Sequence, residues 1–140
     1  VISGESKAVD KAVVLCEQAL AKRVIPLEVS GAFHCALMLE AALELKKVLE
    51  NTPILAPSVP VISNYTALPQ DSVVQIMENL FFQIRSSVKW EDSMKFMLSK
   101  GIYNFIEFGP GKVLKGLMRK IDPAAQVVNI EKKEDILALR

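Results

Sequence analysis

The sequence is poor in the residues that build metal centres and disulfide frameworks. It has one histidine and two cysteines among 140 residues, and Cys16 and Cys35 lack the close spacing of metal ligands. This excludes a cysteine-rich secreted scaffold and gives no metal-binding motif. We expect both thiols to be free, as in a reducing cytosol.

Charge of one sign and long apolar runs are also lacking. The 17 Lys and Arg side chains are balanced by 16 Asp and Glu, a formal net charge of +1, so a nucleic-acid partner is not expected. No apolar run approaches the roughly 20 residues that span a bilayer, so no membrane insertion is expected. Residues 1–6 resemble no signal peptide and include no initiator methionine. We therefore expect a cytoplasmic protein and a fragment of a longer chain.

Hydrophobic residues make up 51% of the chain against 24% charged, and the mean hydropathy is +0.28. This apolar composition has two explanations. Parallel strands that are buried on both faces are apolar throughout, and an apolar surface can also be covered by a partner. The length is that of one domain, and the sequence leaves both explanations open.

Apolar periodicity predicts helices that alternate with short strands. The 3.6-residue period of amphipathic helices occurs in five segments, at residues 5–22, 36–49, 73–84, 88–98 and 112–121. Short β-branched or aromatic runs predict four strands, at residues 24–29, 61–63, 103–108 and 127–130. Pro26 suggests an edge or interruption in the first strand. The alternation is typical of an α/β fold with a parallel sheet.

The only histidine, His34, lies between a predicted strand and a predicted helix. Histidine exchanges protons near neutral pH, and loops after strands commonly carry catalytic groups. His34 is therefore a candidate general base, with a purely structural histidine as the alternative. No GxSxG nucleophile motif is present. Ser30 and Cys35 are poor candidates for the nucleophile, since residues that flank a base on one loop rarely align with it.

Gly109 and Gly111 follow a predicted strand and precede a predicted helix, as glycines do in phosphate-binding loops. Neither GxGxxG nor GxxxxGK[ST] is completed. The preferred interpretation is a turn stiffened by Pro110, and the alternative is an anion contact that involves Lys112.

Three ordered motifs carry a resemblance to a known enzyme family. They are GAFHC at residues 31–35, SVKW at 87–90 and IEFGPGKVLKGL at 106–117. They resemble motifs of malonyl-CoA:acyl carrier protein transacylases, which typically read GAFHS, PVxW and ExGPGxVLxGL. Cys35 and Ser87 depart from the family pattern, which usually has Ser and Pro at these positions.

The resemblance implies that the chain is the C-terminal half of a longer enzyme. The implied fold is the corresponding half of an α/β-hydrolase-like acyltransferase core with a parallel sheet. Residues 1–28 would be the remnant of a ferredoxin-like small subdomain, and residues 29–140 the C-terminal part of the core. The opening VISG resembles the end of a strand in that subdomain.

The resemblance also implies roles for individual residues. His34 would be the base of a Ser–His dyad that transfers malonyl from coenzyme A to acyl carrier protein, without a metal or cofactor. Gln83 would orient the imidazole through its backbone carbonyl. Phe33 matches the position where Phe accompanies a malonyl substrate, and Asn64 resembles a polar residue near the active site.

Three elements of the family's active site are absent from the 140 residues: the GHSLG nucleophile motif, the arginine that pairs with the malonyl carboxylate, and the glutamine loop of the oxyanion hole. We expect the chain alone to be inactive or nearly so. We also expect it to self-associate through surface that the missing N-terminal half would cover. Two alternatives stay open: a non-catalytic protein-interaction module with a structural His34, and a fragment of an acyl-thioester hydrolase, against which Phe33 weighs.

Overall fold

The computed structural model of the chain describes residues 1–137. The chain forms two compact units, Val1–Val88 and Lys89–Arg140. The first unit consists of helices and irregular segments, and the second contains a two-stranded sheet.

The first helix of the first unit, α1 (Ser6–Gln18), ends before residue 22, where the periodicity placed its end. Leu20 adopts a positive φ of 60°, and the N–H of Ala21 donates to the carbonyl of Cys16 over 2.9 Å. This is the geometry of a Schellman-type helix end. A residue in the left-handed conformation therefore stops the helix although the apolar residues continue.

Two further helices of the first unit pack against each other. A 3-10 turn at Ala36–Met38 leads into α2 (Leu39–Glu50), and α3 (Val73–Arg85) contacts both. Ala42 and Leu49 of α2 are buried. The helices that the apolar period predicts in these two segments are confirmed.

The strand predicted at residues 24–29 is wrong. The segment has no regular secondary structure, and it pairs with no strand among residues 1–137. Pro26 lacks a backbone donor, and the N–H of Val29 folds back to the carbonyl of Leu27 over 3.0 Å. Such a three-residue turn ends a regular strand. Residues 1–4, which resemble the end of a strand, form none either.

The strand predicted at residues 61–63 reduces to one antiparallel bridge between Ile62 and Pro69. The chain reverses between them, because the N–H of Ala67 donates to the carbonyl of Ser63 over 2.8 Å and Ala67 has a φ of 61°. A reversal this tight leaves no length for a strand. Residues 61–70 are termed the bridge turn.

The second unit contains the parallel sheet. Its elements are, in order, α4 (Trp90–Ser99), β1 (Asn104–Phe108), α5 (Val113–Ile121), β2 (Gln126–Ile130) and α6 (Lys133–Leu137). The two strands pair in parallel, with Asn104 opposite Gln126 and Phe108 opposite Ile130. Met118 of α5 is buried together with Ile130. The predicted parallel α/β arrangement is confirmed for this part of the chain.

Large apolar side chains remain exposed in both units. Ile25, Leu27 and Val29 are between 61% and 64% exposed in the first unit. In β1, Ile106 is 51% and Phe108 73% exposed, although parallel strands are normally covered on both faces. Burial within the described residues therefore does not account for the apolar composition.

Candidate functional site

The imidazole of His34 contacts the end of α3. Its Nδ1 lies 2.8 Å from the backbone carbonyl oxygen of Gln83, although the two residues are 49 positions apart in sequence. A carbonyl oxygen can only accept a hydrogen bond, so Nδ1 donates and carries the hydrogen. In the neutral ring, Nε2 then holds the free lone pair. The contact selects the tautomer in which Nε2 can accept a proton.

The carbonyl of Gln83 is available because α3 ends two residues later, at Arg85. The last four carbonyls of a helix have no donor within the helix, and Ser86 leaves α3 in an extended conformation. The end of α3 thus supplies an acceptor for the Nδ1–H of His34.

The backbone of His34 is in the left-handed region, with a φ of 60°. This conformation is uncommon for residues other than glycine, although histidine adopts it more often than most. It turns the chain just before the 3-10 turn at Ala36–Met38, which contacts α3. His34 itself is exposed, so a reacting group can approach the ring.

Phe33 lies beside His34 in the chain and is 44% exposed. Its ring folds back over Gly31, where an added Cβ would lie 3.6 Å from the ring's outermost carbon, Cζ. Gly31 and Phe33 thus form a local apolar contact in the loop that carries His34.

Asn64 lies in the bridge turn and is half-buried. Its neighbour Tyr65 stacks on Phe82, with ring centroids 5.1 Å apart and 18° between the ring planes. Phe82 immediately precedes Gln83, so the bridge turn reaches the end of α3 that contacts His34. Within residues 1–137, Asn64 forms no hydrogen bond with His34.

Neither flanking nucleophile candidate is paired with His34. The thiol of Cys35 donates to the carbonyl of Ala32 over 3.1 Å, and no hydrogen bond joins Ser30 to His34 in the described part of the chain. Both cysteines are free thiols, as expected. In the described part of the chain, His34 therefore contacts its acceptor Gln83 but forms no hydrogen bond with a nucleophile.

A cleft of about 900 Å³ lies in the first unit and reaches the loop before His34. Ser30, Gly31 and Ala32 contribute to its lining, together with apolar side chains that include Ile25 and Val29. The cleft that the residues before His34 help to line is therefore mainly apolar.

Two backbone amides that follow the glycine turn of the second unit (residues 109–111) are bonded to a carboxylate. Glu107, on β1 and only 8% exposed, accepts hydrogen bonds from the N–H groups of Leu114 and Lys115, at 2.9 and 3.0 Å. These amides at the start of α5 are those that a phosphate would use. The carboxylate already occupies them, and the interpretation as a turn is confirmed. This role of Glu107 was not predicted from the sequence. The one sequence feature that pointed to it was an acidic residue near the end of a predicted strand.

Asn129 ties the same turn to β2. Its Nδ2 donates to the carbonyls of Glu107 and Gly109, each at 3.2 Å. The N–H of Gly109 in turn donates to the carbonyl of Ile130 over 3.0 Å. The glycine turn is thus a fixed connection between β1 and α5.

Across residues 1–137, no three His, Cys, Asp or Glu side chains are grouped as the ligands of a metal ion would be. No helix in that part of the chain has both the length and the apolar character needed to cross a bilayer.

The sequence matches curated proteins over nearly its whole length. It is 43% identical over 136 residues to the malonyl CoA-acyl carrier protein transacylase of Bacillus subtilis, an alignment that covers 97% of this chain and 43% of the relative. Identity to the enzyme of the same name from Haemophilus influenzae is 38% over 130 residues, covering 93% of this chain and 42% of the relative. No protein-family model matches. The chain spans less than half the length of these relatives.

Solved structures agree with the sequence comparison. An acyl carrier protein S-malonyltransferase from Vibrio cholerae superposes with a TM-score of 0.93 at 39% identity, over 98% of this chain and 45% of that one. A malonyl-transacylase solved in complex with its type II PKS acyl-carrier protein gives a TM-score of 0.92 at 34% identity, over 96% of this chain and 44% of that one. The helices and the small parallel sheet therefore match the fold of these acyltransferases. By sequence and by fold, the chain is a homologue of the malonyl CoA-acyl carrier protein transacylases and corresponds to a little under half of their length.

Proposed function

We propose that this chain is the histidine-bearing, C-terminal part of a malonyl-CoA:acyl carrier protein transacylase of bacterial-type fatty-acid synthesis. A complementary N-terminal polypeptide supplies the serine nucleophile of the Ser–His dyad. The observation that carries the proposal is the 2.8 Å contact between His34 Nδ1 and the carbonyl of Gln83. The homology over 97% of the chain supports it.

In the first half-reaction, Nε2 of His34 takes the proton from the serine hydroxyl while the serine oxygen attacks the thioester carbonyl of malonyl-CoA. A carbon–oxygen bond forms and the carbon–sulfur bond breaks. The imidazolium then returns its proton to the departing thiolate of coenzyme A. Throughout, the Nδ1–H of His34 stays bonded to the carbonyl of Gln83, so that Nε2 faces the reacting atoms.

In the second half-reaction, the thiol of acyl carrier protein attacks the malonyl-serine ester. Nε2 of His34 takes the thiol proton, a carbon–sulfur bond forms, and the carbon–oxygen bond to serine breaks. The proton passes to the serine oxygen, which restores the dyad. The same nitrogen therefore acts as base and then as acid in each half.

Phe33 and Asn64 are proposed to line the site on the substrate side. Support for Phe33 comes from its place directly before His34 in the chain and from its ring, which is 44% exposed and accessible to a malonyl group. Support for Asn64 comes from its position in the bridge turn, whose Tyr65 stacks on the residue before Gln83.

The proposal also covers the frame of the enzyme and its partners. Residues 29–140 belong to an α/β-hydrolase-like core, and residues 1–28 to a ferredoxin-like small subdomain. The complementary N-terminal half covers apolar side chains such as Ile25, Leu27 and Val29, whose exposure supports this.

Malonyl-CoA and acyl carrier protein are the substrates, and the free thiols fit a cytoplasmic location. No observation favours the interaction module or the hydrolase fragment.

Malonyl transfer from malonyl-CoA to acyl carrier protein tests the proposal, measured with this chain alone and with the N-terminal half of the Bacillus subtilis relative added. We expect no transfer by the chain alone and transfer on mixing. In the mixture, His34→Ala should lower the rate about 10²–10⁴-fold. Cys35→Ser, a substitution of the adjacent residue, is the matched control and should keep the rate.

Each other outcome counts against the proposal. Transfer by the chain alone would require a nucleophile of its own. A folded chain that restores no transfer on mixing would favour the interaction module. Release of free malonate in place of malonyl-acyl carrier protein would favour the hydrolase.

A further inference from the structure

We infer that Tyr65 is a positioning residue for His34, acting through Phe82 and the backbone of Gln83. Its ring holds the last turn of α3 where the Gln83 carbonyl meets Nδ1 of His34. The catalytic consequence of this inference rests on the proposed function, whereas the positioning itself is a property of this chain.

The stacking geometry is the first step. The rings of Tyr65 and Phe82 lie nearly parallel, with centroids 5.1 Å apart. Phe81 meets Phe82 edge to face, also at 5.1 Å and with 76° between the planes. Both arrangements are favourable for aromatic pairs. Phe81 lies on α3 itself, so Tyr65 is the ring that joins Phe82 to another segment, one residue before the Gln83 carbonyl.

A buried hydrogen bond joins the bridge turn to α3 a second time. Nδ2 of Asn79 donates to Oε1 of Gln70 over 2.9 Å, and each residue is only 7% exposed. Asn79 lies one helical turn before Gln83. The bridge turn thus fixes two successive turns of α3, one through Gln70 and one through Tyr65.

The bridge turn is itself well supported. The hydroxyl of Ser63 accepts hydrogen bonds from the N–H groups of Tyr65 and Thr66, at 3.1 and 3.3 Å. The N–H of Ser63 donates to the carbonyl of Leu68 over 2.9 Å. The backbone around Tyr65 is therefore held by hydrogen bonds, and its ring can keep Phe82 in place.

The position of the carbonyl decides the tautomer of the ring. A hydrogen bond weakens steeply when the acceptor moves out of line or out of range. Without the Gln83 acceptor, the hydrogen on the neutral ring of His34 redistributes toward Nε2, and a ring in that form cannot accept a proton at the nitrogen that faces the substrate. Loss of the Tyr65 ring should therefore raise the share of the Nε2–H form.

The chain has one histidine, so ¹⁵N-histidine labelling of the full chain gives one pair of ring-nitrogen signals. Their chemical shifts, measured where the ring is neutral, report which nitrogen carries the hydrogen. We expect the Nδ1–H form to dominate in the wild type and in Tyr65→Phe, which keeps the stacked ring. In Tyr65→Leu, which keeps apolar volume but no ring, we expect a clear rise of the Nε2–H form.

Tyr103→Leu is the matched control, because Tyr103 is the chain's other tyrosine and lies in the second unit; its signals should match the wild type. The inference is overturned if Tyr65→Leu, folded by circular dichroism, keeps the wild-type ratio, or if Tyr65→Phe behaves like Tyr65→Leu. If Tyr65→Leu does not fold, Phe82→Leu removes the stack from the other side and is judged by the same criterion. These signals need no partner polypeptide, so a failed transfer assay would count against the proposed function and not against this inference.

Discussion

Glu107 Oε1 accepts a hydrogen bond from the backbone N–H of Leu114 over 2.9 Å, across the glycine turn that joins β1 to α5. The other carboxylate oxygen accepts from the N–H of Lys115, so one strand residue satisfies two unpaired amides at the start of a helix. Burial of a carboxylate is costly unless its oxygens are bonded. The carboxylate and the helix start therefore depend on each other.

Substitution of Glu107 should destabilise this connection. Glu107→Gln replaces one acceptor oxygen by an NH₂ group that faces a backbone donor, and we expect the free energy of unfolding to fall by about 1–3 kcal/mol. Hydrogen exchange at the amides of Leu114 and Lys115 should accelerate at the same time. The exposed carboxylate of Glu131 provides the control, as Glu131→Gln. Unchanged protection of both amides in Glu107→Gln would contradict the role of Glu107 as the helix cap.

Two glycines near α5 should respond to alanine with opposite signs. Gly111 has a φ of 83°, and an added Cβ would meet no atom within 4 Å. Gly111→Ala should therefore lower the free energy of unfolding by about 1–2 kcal/mol, because alanine is strained in this backbone conformation. Gly116 lies inside α5, again with open space around an added Cβ, and Gly116→Ala should stabilise by about 0.5–1 kcal/mol. Urea unfolding of both variants in parallel measures the difference. Stabilisation by Gly111→Ala would show that the turn does not require a positive φ.

Asp135 should titrate at unusually low pH. Its Oδ2 accepts hydrogen bonds from the N–H groups of Lys132 and Glu131, at 3.0 and 2.9 Å, and these bonds hold the pKa of the carboxyl below its ordinary value of 3.8. Because the pKa is lower in the folded chain than in the unfolded one, the stabilisation is fully present above pH 3.8 and is lost as the pH falls through the folded pKa. The amide chemical shifts of residues 131 and 132 should therefore follow a midpoint below 3.8. A midpoint at or above 3.8, or the same titration in Asp135→Asn, would refute this assignment.

The exposed apolar surface should make the chain self-associate. Phe108 and Ile106 lie on a sheet that has two strands and two unpaired outer edges within residues 1–137, and such edges pair readily with other chains. Light scattering across a concentration series should show a mass that rises with concentration. Phe108→Lys, which places a charge on the exposed face, should reduce the effect. A monodisperse monomer throughout the series would contradict the prediction.

Helices and the parallel strand pair could be predicted from the sequence, because both leave local patterns. The apolar period of 73–84 corresponds to α3 at Val73–Arg85, and the runs at 103–108 and 127–130 correspond to β1 and β2. Segments 24–29 and 61–63 have the composition of strands, but a strand also needs a partner and a straight path. The turn at Val29 and the positive φ of Ala67 deny them that path.

The candidate site could be predicted only in part. His34 stands out because the chain has no other histidine, whereas its acceptor was suggested only by family resemblance, since a backbone carbonyl leaves no trace in residue type. The stack of Tyr65 on Phe82 joins two segments that no short motif connects. The catalytic role of His34 and the roles of Phe33 and Asn64 stay predictions that the transfer assay tests.

The atom of Gln83 that meets His34 belongs to the main chain, and all twenty amino acids carry the same carbonyl. Gln83→Ala would therefore keep this carbonyl, and an alanine scan would not reveal what the contact contributes. Natural sequence variation at position 83 is equally uninformative about the importance of this contact. Selection on such a contact acts on the neighbouring residues that set the path of the helix. In a deep mutational scan, the loss of this contact should therefore appear at those residues.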